Sequence, residues 1–322
     1  MKTRIVQLGM CTADLARTAR RYCEGFGFRD AGGHMMWGAG SAKIQGLGRD
    51  ATGAMWWLVG EQPFFNLEFF RHSLPPQRPL PADWLPNTLG WVKWGFATAD
   101  FDSAVAYLKK GEIDVSQVVT VDGLRRVCFR DPEIGVVVEV MEEGAALSGS
   151  TASRGPGAAP RVVYATLSVS DLSRARALYT EVMEMAPVSA RLHTPEMEAL
   201  WGLPGAKREA LVLDGDGVFL EIVQYLEPVG RRRPNLLLSD QGIMNIALGY
   251  REREAAERAI ARAVAGGCTL NAPLVEGEAA ATYVSDPLGN SLELLCVPES
   301  MDAAFGWVAR QIRLPSSKLA AE

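Results

Sequence analysis

A short apolar strand, an acidic residue placed to cap a helix, and a helix with one apolar face recur four times along this chain of 322 residues. No other feature constrains its fold as strongly. Ile5-Val-Gln-Leu-Gly-Met-Cys leads to Asp14 and a helix through Ala19 and Tyr22, and Val162-Val-Tyr-Ala-Thr-Leu-Ser-Val leads to Asp171 and a helix through Ala175 and Tyr179. In both, a tyrosine stands eight residues after the aspartate, on the helix face that would pack against a sheet. Gly90-Trp-Val-Lys-Trp-Gly-Phe-Ala-Thr leads to Asp100 and a helix through Leu108. Gly242-Ile-Met-Asn-Ile-Ala-Leu-Gly leads to Glu252 and a helix through Ile260. Gly111 and Gly266-Gly267 stop these last two helices.

Each helix is followed by strand patterns. They lie at 54–60 and 64–70, at 118–129 and 136–141, at 210–213 and 218–223, and at 281–284 and 291–297. The expected order is strand, helix and then several strands, an α+β arrangement repeated four times. The stretch from Glu142 to Pro160 is made of small residues with Gly and Pro and reads as a linker. The expected division is therefore a first half of 1–148 with modules at about 1–75 and 88–142, and a linker at 149–159. A second half of 160–300 follows, with modules at about 160–228 and 240–298, and then a tail of 301–322. Within the tail, Asp302 to Ile312 has the pattern of a short amphipathic helix, expected to pack back on the second half.

Composition narrows the function classes. The chain is 48% hydrophobic and 22% charged, with a formal net charge of −5 and no basic block beyond Arg231-Arg232-Arg233. Such a balance argues against a nucleic-acid partner. Five cysteines lie scattered without CxxC spacing, as expected of buried free thiols in a reducing compartment. No apolar run approaches the ~20 residues of a membrane-spanning helix. The expectation is a cytoplasmic protein, monomer or homodimer, whose partner is a small molecule.

The informative polar residues sit inside apolar strands. Glu68, Glu139, Glu221 and Glu293 occupy equivalent places in the closing strands, and Gln7, Lys93, Tyr164 and Asn245 occupy equivalent places in the opening strands. Strand alternation could turn any one carboxylate to solvent, but chance polarity would not follow a fourfold repeat. A carboxylate on the buried side of a sheet needs a partner. If each half curls into one trough, Gln7, Glu68, Lys93 and Glu139 converge in the first, and Tyr164, Glu221, Asn245 and Glu293 in the second. Pairing of Lys93 with Glu68 or Glu139 could be purely structural.

Asp286-Pro-Leu-Gly-Asn-Ser-Leu-Glu293 and Asp131-Pro-Glu-Ile-Gly-Val-Val-Val-Glu139 close the two halves. With Asp14-Leu and Asp171-Leu after the opening strands, the pattern resembles the vicinal oxygen chelate superfamily. Glyoxalases, bleomycin-resistance proteins, epimerases and extradiol dioxygenases belong to it. The resemblance covers nearly everything from 4 to 297 and implies two tandem domains, each of paired βαβββ modules around a trough. It also implies a metal held by a His or Gln on each opening strand and a Glu on each closing strand. Gln7, Glu68 and Glu139 match those places, as do Glu221 and Glu293. Lys93, Tyr164 and Asn245 depart from them.

None of the three histidines, His34, His72 and His193, falls at a ligand place, and all three read as surface or loop residues. A two-histidine iron site is therefore not expected, which argues against extradiol dioxygenase chemistry. No cofactor is expected from these residues, although oxygen ligands in the second trough would accept a hard divalent cation. The resemblance then implies proton transfer (isomerisation, epimerisation or a lyase reaction) on a small carbonyl or aromatic compound. The catalytic candidates are Tyr164, Glu221, Asn245, Glu293, Glu68, Lys93, Glu139 and Gln7, with the second trough favoured. The alternative is a binding protein without turnover, for which Trp56, Trp57, Phe64, Phe65, Trp91, Trp94 and Tyr225 could wall a pocket.

Overall fold

The computed structural model describes residues 3–144, 155, 157–189, 191–232 and 235–310. Most of the expected linker, together with Arg233 and everything beyond 310, lies outside the described residues. Module one comprises β1 (Arg4–Cys11), α1 (Leu15–Arg20) continued by a π turn at Arg21–Gly25, β2 (Arg29–Trp37), α2 (Ala39–Ile44), β3 (Thr52–Val59) and β4 (Asn66–Leu74). Module two comprises β5 (Gly90–Thr98), α3 (Phe101–Lys110), β6 (Val119–Val121), β7 (Leu124–Arg130) and β8 (Val137–Glu142). Module three begins with β9 (Arg161–Ser168) and α4 (Leu172–Ala177), again continued by a π turn, at Leu178–Val182. It goes on through β10 (Ala186–Pro187), a 3-10 turn at Pro195–Trp201, β11 (Lys207–Asp214) and β12 (Phe219–Glu227). Module four comprises β13 (Gly242–Tyr250), α5 (Arg253–Ala265), β14 (Thr269–Leu270), β15 (Ala280–Ser285) and β16 (Ser291–Cys296).

The expected caps form in the first and third modules. Asp14 accepts from the Arg17 amide at 2.9 Å, and Asp171 from the Arg174 amide at 2.9 Å. Each satisfies one of the orphan N–H groups that open a helix. Asp100 and Glu252 stand at the N-caps of α3 and α5 but make no side-chain cap bond. In every module the opening strand lies parallel to the closing one: β1 beside β4, β5 beside β8, β9 beside β12 and β13 beside β16.

How the modules join differs from expectation. The two eight-stranded sheets run β14-β15-β16-β13-β1-β4-β3-β2 and β10-β11-β12-β9-β5-β8-β7-β6. The first sheet therefore unites modules one and four, and the second unites modules two and three. β1 pairs antiparallel with β13, and β5 with β9. Each half of the chain contributes one module to each sheet, so the grouping of trough residues by halves is corrected. The physical reason is reach. The segments 75–89, 143–160 and 228–241 between modules can each span either pairing at about 3.3 Å per residue, and all four opening strands offer the same kind of apolar edge.

Within each half the modules touch through their helices. The Tyr22 hydroxyl donates to Asp131 at 3.1 Å, and the Tyr179 hydroxyl donates to Asp286 at 3.2 Å. The tyrosines eight residues past the caps thus meet the aspartates of the two closing motifs. Asp131 also accepts the amides of Glu133 and Ile134, and Asp286 those of Leu288 and Asn290. The main core draws residues from all four modules, among them Leu8, Trp94, Leu167 and Leu248, while smaller clusters such as Cys11 with Met36 and Phe70 line the troughs.

Two glycines make the strand junctions fit. Gly9 faces Asn245 across β1–β13, and Gly95 faces Tyr164 across β5–β9. A Cβ on Gly9 would run into the Asn245 side chain, and one on Gly95 would lie 2.5 Å from the Tyr164 ring. Both neighbours are fully buried polar side chains with no room to withdraw. Gly95→Ala is expected to lower stability by about 1–3 kcal/mol, the usual cost of overpacking, as measured by urea unfolding with an unchanged slope.

The tail also departs from its pattern. After a 3-10 turn at Glu299–Met301 it runs as irregular turns rather than a helix. It packs on the second half as expected, with Asp302 paired to Arg251 and Trp307 clustered with Ala247, Leu295 and Val297. It packs on module one as well: the Trp307 indole donates to the Val6 carbonyl at 3.2 Å, and the Arg310 amide donates to that of Asp30 at 2.7 Å.

Candidate active site

The eight repeated polar residues lie on the four central strands of each sheet. Glu293, Asn245, Gln7 and Glu68 come together on β16, β13, β1 and β4. Glu221, Tyr164, Lys93 and Glu139 come together on β12, β9, β5 and β8. All eight are buried. The two groups meet opposite electrostatic fates.

In the trough of modules two and three, every carboxylate is neutralised by the protein itself. Lys93 Nζ donates to Glu221 Oε2 at 3.0 Å and lies 3.1 Å from His193 Nδ1. His193 places Nδ1 2.8 Å from Glu221 Oε1 and Nε2 2.9 Å from Glu139 Oε2. Each ring nitrogen of His193 thus faces a carboxylate oxygen, and Nδ1 also faces the Lys93 ammonium. The Tyr164 hydroxyl donates to Glu139 at 2.7 Å, and the Thr166 hydroxyl donates to Glu221 at 2.8 Å. Arg126 lies 3.5 Å from Glu139, and Arg208 lies 3.6 Å from Glu221 while also pairing with Glu198. The Lys93 ammonium sits 4.3 Å from the centroid of the Trp201 ring.

Burial alone would raise the Glu139 carboxyl. The charge and hydrogen bond of His193, with Arg126 and Lys93, outweigh it and hold the group at about 2. Glu221 is likewise held well below the carboxylate range, burial being overcome by His193, Lys93 and Arg208. Lys93, Glu139 and Glu221 are each no more than 1% exposed. The network compensates both carboxylates with protein groups, while Arg126 Nε is left without a hydrogen-bond partner.

The trough of modules one and four is open. A cavity of about 230 Å³ is lined by Gln7, Glu68, Tyr283 and Glu293, with Trp57, Phe70, Met36, Met55, Phe305 and Trp307 among its apolar walls. Glu68 and Glu293 are 4% and 7% exposed. Glu68 Oε1 accepts from the Trp57 indole at 2.9 Å. Glu293 Oε2 has no hydrogen-bond partner, and neither amide atom of Asn245, beside Tyr283, makes a well-formed bond. Gln7 donates to Asn66 at 3.0 Å, and Asn66 donates to the Phe305 and Gly306 carbonyls at 3.1 Å. This chain of amides ties the tail to the floor of the trough.

Among the described residues no arginine or lysine lines this cavity. Burial pushes Glu68 up to about 8 against the opposing Trp57 hydrogen bond. Glu293 is driven well above the carboxylate range by burial and then by the charge of Glu68. The Tyr283 hydroxyl is raised by burial and by both carboxylates. Two buried carboxyls, one raised by the charge of the other, cannot both ionise cheaply.

The two troughs therefore give opposite pH dependences. A carboxyl raised on folding stabilises at low pH, and that contribution fades as pH climbs from the ordinary 4.5 through about 8 for Glu68. A carboxyl held down, as Glu139 is at about 2, stabilises above the ordinary range and loses its contribution as pH falls. Unfolding free energy is expected to decline between about pH 4.5 and about pH 8, and Glu68→Gln is expected to flatten that decline. Urea melts across that range check it, and an unchanged slope in the variant would exclude Glu68 as its source.

The histidines also depart from expectation. His193 is fully buried at the centre of the closed network rather than in a surface loop. His72 lies inside β4, buried, 3.1 Å from Gln45 Oε1 and 3.7 Å from the Cys11 thiol. Burial, aided by Arg71, lowers it to about 4. His34 lies in β2 rather than a turn, its ring stacked on Trp57 at 5.2 Å, and it keeps the exposure expected of it. Lys93 pairs with Glu221, not with Glu68 or Glu139.

Sequence reading missed His193, Arg126, Thr166 and Tyr283 as trough residues. One signal for the difference was present. Trp57 and Tyr283 stand directly opposite Glu68 and Glu293, whereas Cys128 and Val212 stand opposite Glu139 and Glu221. Large aromatics wall the open trough; smaller side chains leave space for His193 in the closed one.

The implied metal can be tested against these donors. In the closed trough an ammonium occupies one ligand place and His193 takes up the carboxylate lone pairs. In the open one only Glu68 and Glu293 are anionic donors, and Gln7 spends its amide nitrogen on Asn66. Among the described residues no group of three or more His, Cys, Asp or Glu is arranged to hold a metal ion. The residues do not fit the histidine-borne centre that the resemblance implies.

No family model matches the chain, and no curated protein matches it in sequence. Solved structures do match in fold. Glyoxalase I from Zea mays is similar over 92% of this chain and 92% of its own, at 17% identity and a TM-score of 0.60. A Bacillus subtilis protein provisionally named a dioxygenase is similar over 95% of this chain and 90% of its own, at 13% identity and a TM-score of 0.63. Among the described residues no helix is long and apolar enough to cross a membrane. Four βαβββ modules, two mixed sheets and these full-length similarities give the chain the tandem fold of the vicinal oxygen chelate superfamily.

Proposed function

We propose that the trough of modules one and four carries out proton transfer on a small carbonyl-containing molecule, and that the trough of modules two and three is structural. The supporting observation is the Glu68–Glu293 pair, buried against one cavity that no lysine or arginine lines among the described residues. Two carboxyls whose surroundings separate their proton affinities divide into an acid and a base. Glu68, fixed by the Trp57 indole, is the base that removes a proton next to the carbonyl. Glu293 keeps its proton and presents it, through its unpartnered oxygen, to the developing enolate oxygen, where charge stabilisation counts most. Tyr283 and Asn245 lie beside it as further donors. Return of the proton to another face or carbon gives epimerisation or isomerisation.

The test is loss of the α-hydrogen signal of neutral ketones and aldehydes in deuterated buffer, followed by proton NMR with and without a chelator. Enzyme-dependent exchange that survives chelation is expected. Exchange that appears only with added divalent metal would overturn the assignment of roles. The apolar walls of the cavity favour one second reading, a binding protein without turnover. Tight binding of a carbonyl compound with no exchange would establish it.

A further inference from the structure

The open trough has a charge imbalance that the proposed chemistry leaves unresolved. When Glu68 is ionised and ready to act as base, the cavity holds a net negative charge at a buried carboxylate. Trp57 gives Glu68 one neutral hydrogen bond, and among the described residues His34 lines the space but no lysine or arginine does. The equivalent place in the other trough shows what balance requires there: Lys93, Arg126 and Arg208 stand around its carboxylates. In the open trough Arg310, whose charge reaches His34, packs on Gly32 and donates to the Ala303 carbonyl. Buried, unpaired charge is strongly disfavoured.

Two independent features point to an occupant. Glu293 Oε2 is buried without a hydrogen-bond partner, so polar capacity at the floor is unfilled. The lining includes four aromatic rings, Trp57, Phe70, Tyr283 and Trp307, around about 230 Å³ of space. Aromatic faces attract cations through their ring quadrupole, most strongly where water is excluded.

We infer that the ligand of this trough is an organic cation, an amine or quaternary ammonium on an apolar body, whose charge balances the Glu68–Glu293 pair while the aromatic walls hold it. An anionic ligand meets two carboxyls and no counter-charge, so carboxylates and phosphates are excluded. For a reacting molecule, an ammonium near the carbonyl also acidifies the proton to be removed. The inference rests on the proposed function only in using the same trough, because binding is read without turnover.

Calorimetric titration of the full chain with three matched probes tests it: phenyltrimethylammonium, its neutral isostere tert-butylbenzene, and benzoate. The fixed-charge cation is expected to bind on the order of tenfold tighter than the isostere, with no detectable benzoate binding. Glu68→Gln should bring the cation-to-isostere ratio towards one. Equal or tighter binding of tert-butylbenzene, or any saturable binding of benzoate, would overturn the inference. The wild-type ordering decides it even if the variant folds poorly. Hydrogen exchange on neutral ketones without a cation preference would sink this inference and leave the proposed function standing. A cation preference without exchange on any carbonyl compound, cationic ones included, would do the reverse.

Discussion

Replacing His193 by alanine is expected to cost the fold roughly 3–5 kcal/mol, the range for removing one partner from a buried ion pair. The imidazole contacts Glu221 at 2.8 Å and Glu139 at 2.9 Å, and none of the three side chains is more than 1% exposed. Without it Glu139 keeps only the long Arg126 contact and the Tyr164 hydroxyl, and a cavity opens against Trp201. Urea unfolding measures the loss, with an unchanged slope showing that stability rather than compactness has moved. Adding Glu139→Gln to His193→Ala should recover part of it, since the stranded charge is gone. A loss below about 1 kcal/mol would mean that the network is not what holds modules two and three together.

The same glutamate-to-glutamine change should act oppositely in the other sheet. Glu68→Gln removes a carboxyl that burial already disfavours and keeps its shape, so stability at neutral pH is expected to hold or rise. Its catalytic effect should be large: hydrogen exchange falling by about 10²–10⁴-fold, the usual contribution of a positioned base. Glu293→Gln should lose a similar amount, because an amide donates more weakly than a carboxylic acid to a developing oxyanion. By contrast, Glu139→Gln should leave exchange close to wild type while lowering stability. Exchange rates and urea melts on these three variants distinguish an active trough from a structural one. Exchange abolished by Glu139→Gln and spared by Glu68→Gln would reverse the assignment.

Much of the scaffold was legible because its causes are local. Asp14 and Asp171 cap helices through bonds three residues away, and the tyrosine eight residues further on follows from helix periodicity. The recurrence of Glu68, Glu139, Glu221 and Glu293 at one place in an apolar strand was legible as well. The roles of His193 and His72, and the packing of the tail on module one, were not. His193 belongs to a segment outside regular structure, and its importance comes from two carboxylates 54 and 28 residues away in sequence. Trp307 donates to Val6 across 301 residues, which no periodicity records.

The sequence by itself determined four modules, their capped helices and eight polar residues at matched strand positions. Only the tertiary structure decided how the modules pair, because four similar strand edges and long connections leave several pairings open to the chain. That pairing sets the chemistry. It puts Lys93 beside Glu221 and the inserted His193, closing one trough by charge compensation. It puts Glu68 and Glu293 in one sheet against a cavity that, among the described residues, no lysine or arginine lines. Electrostatic energy depends on distance through space and on burial, and neither is written in the order of residues along a chain.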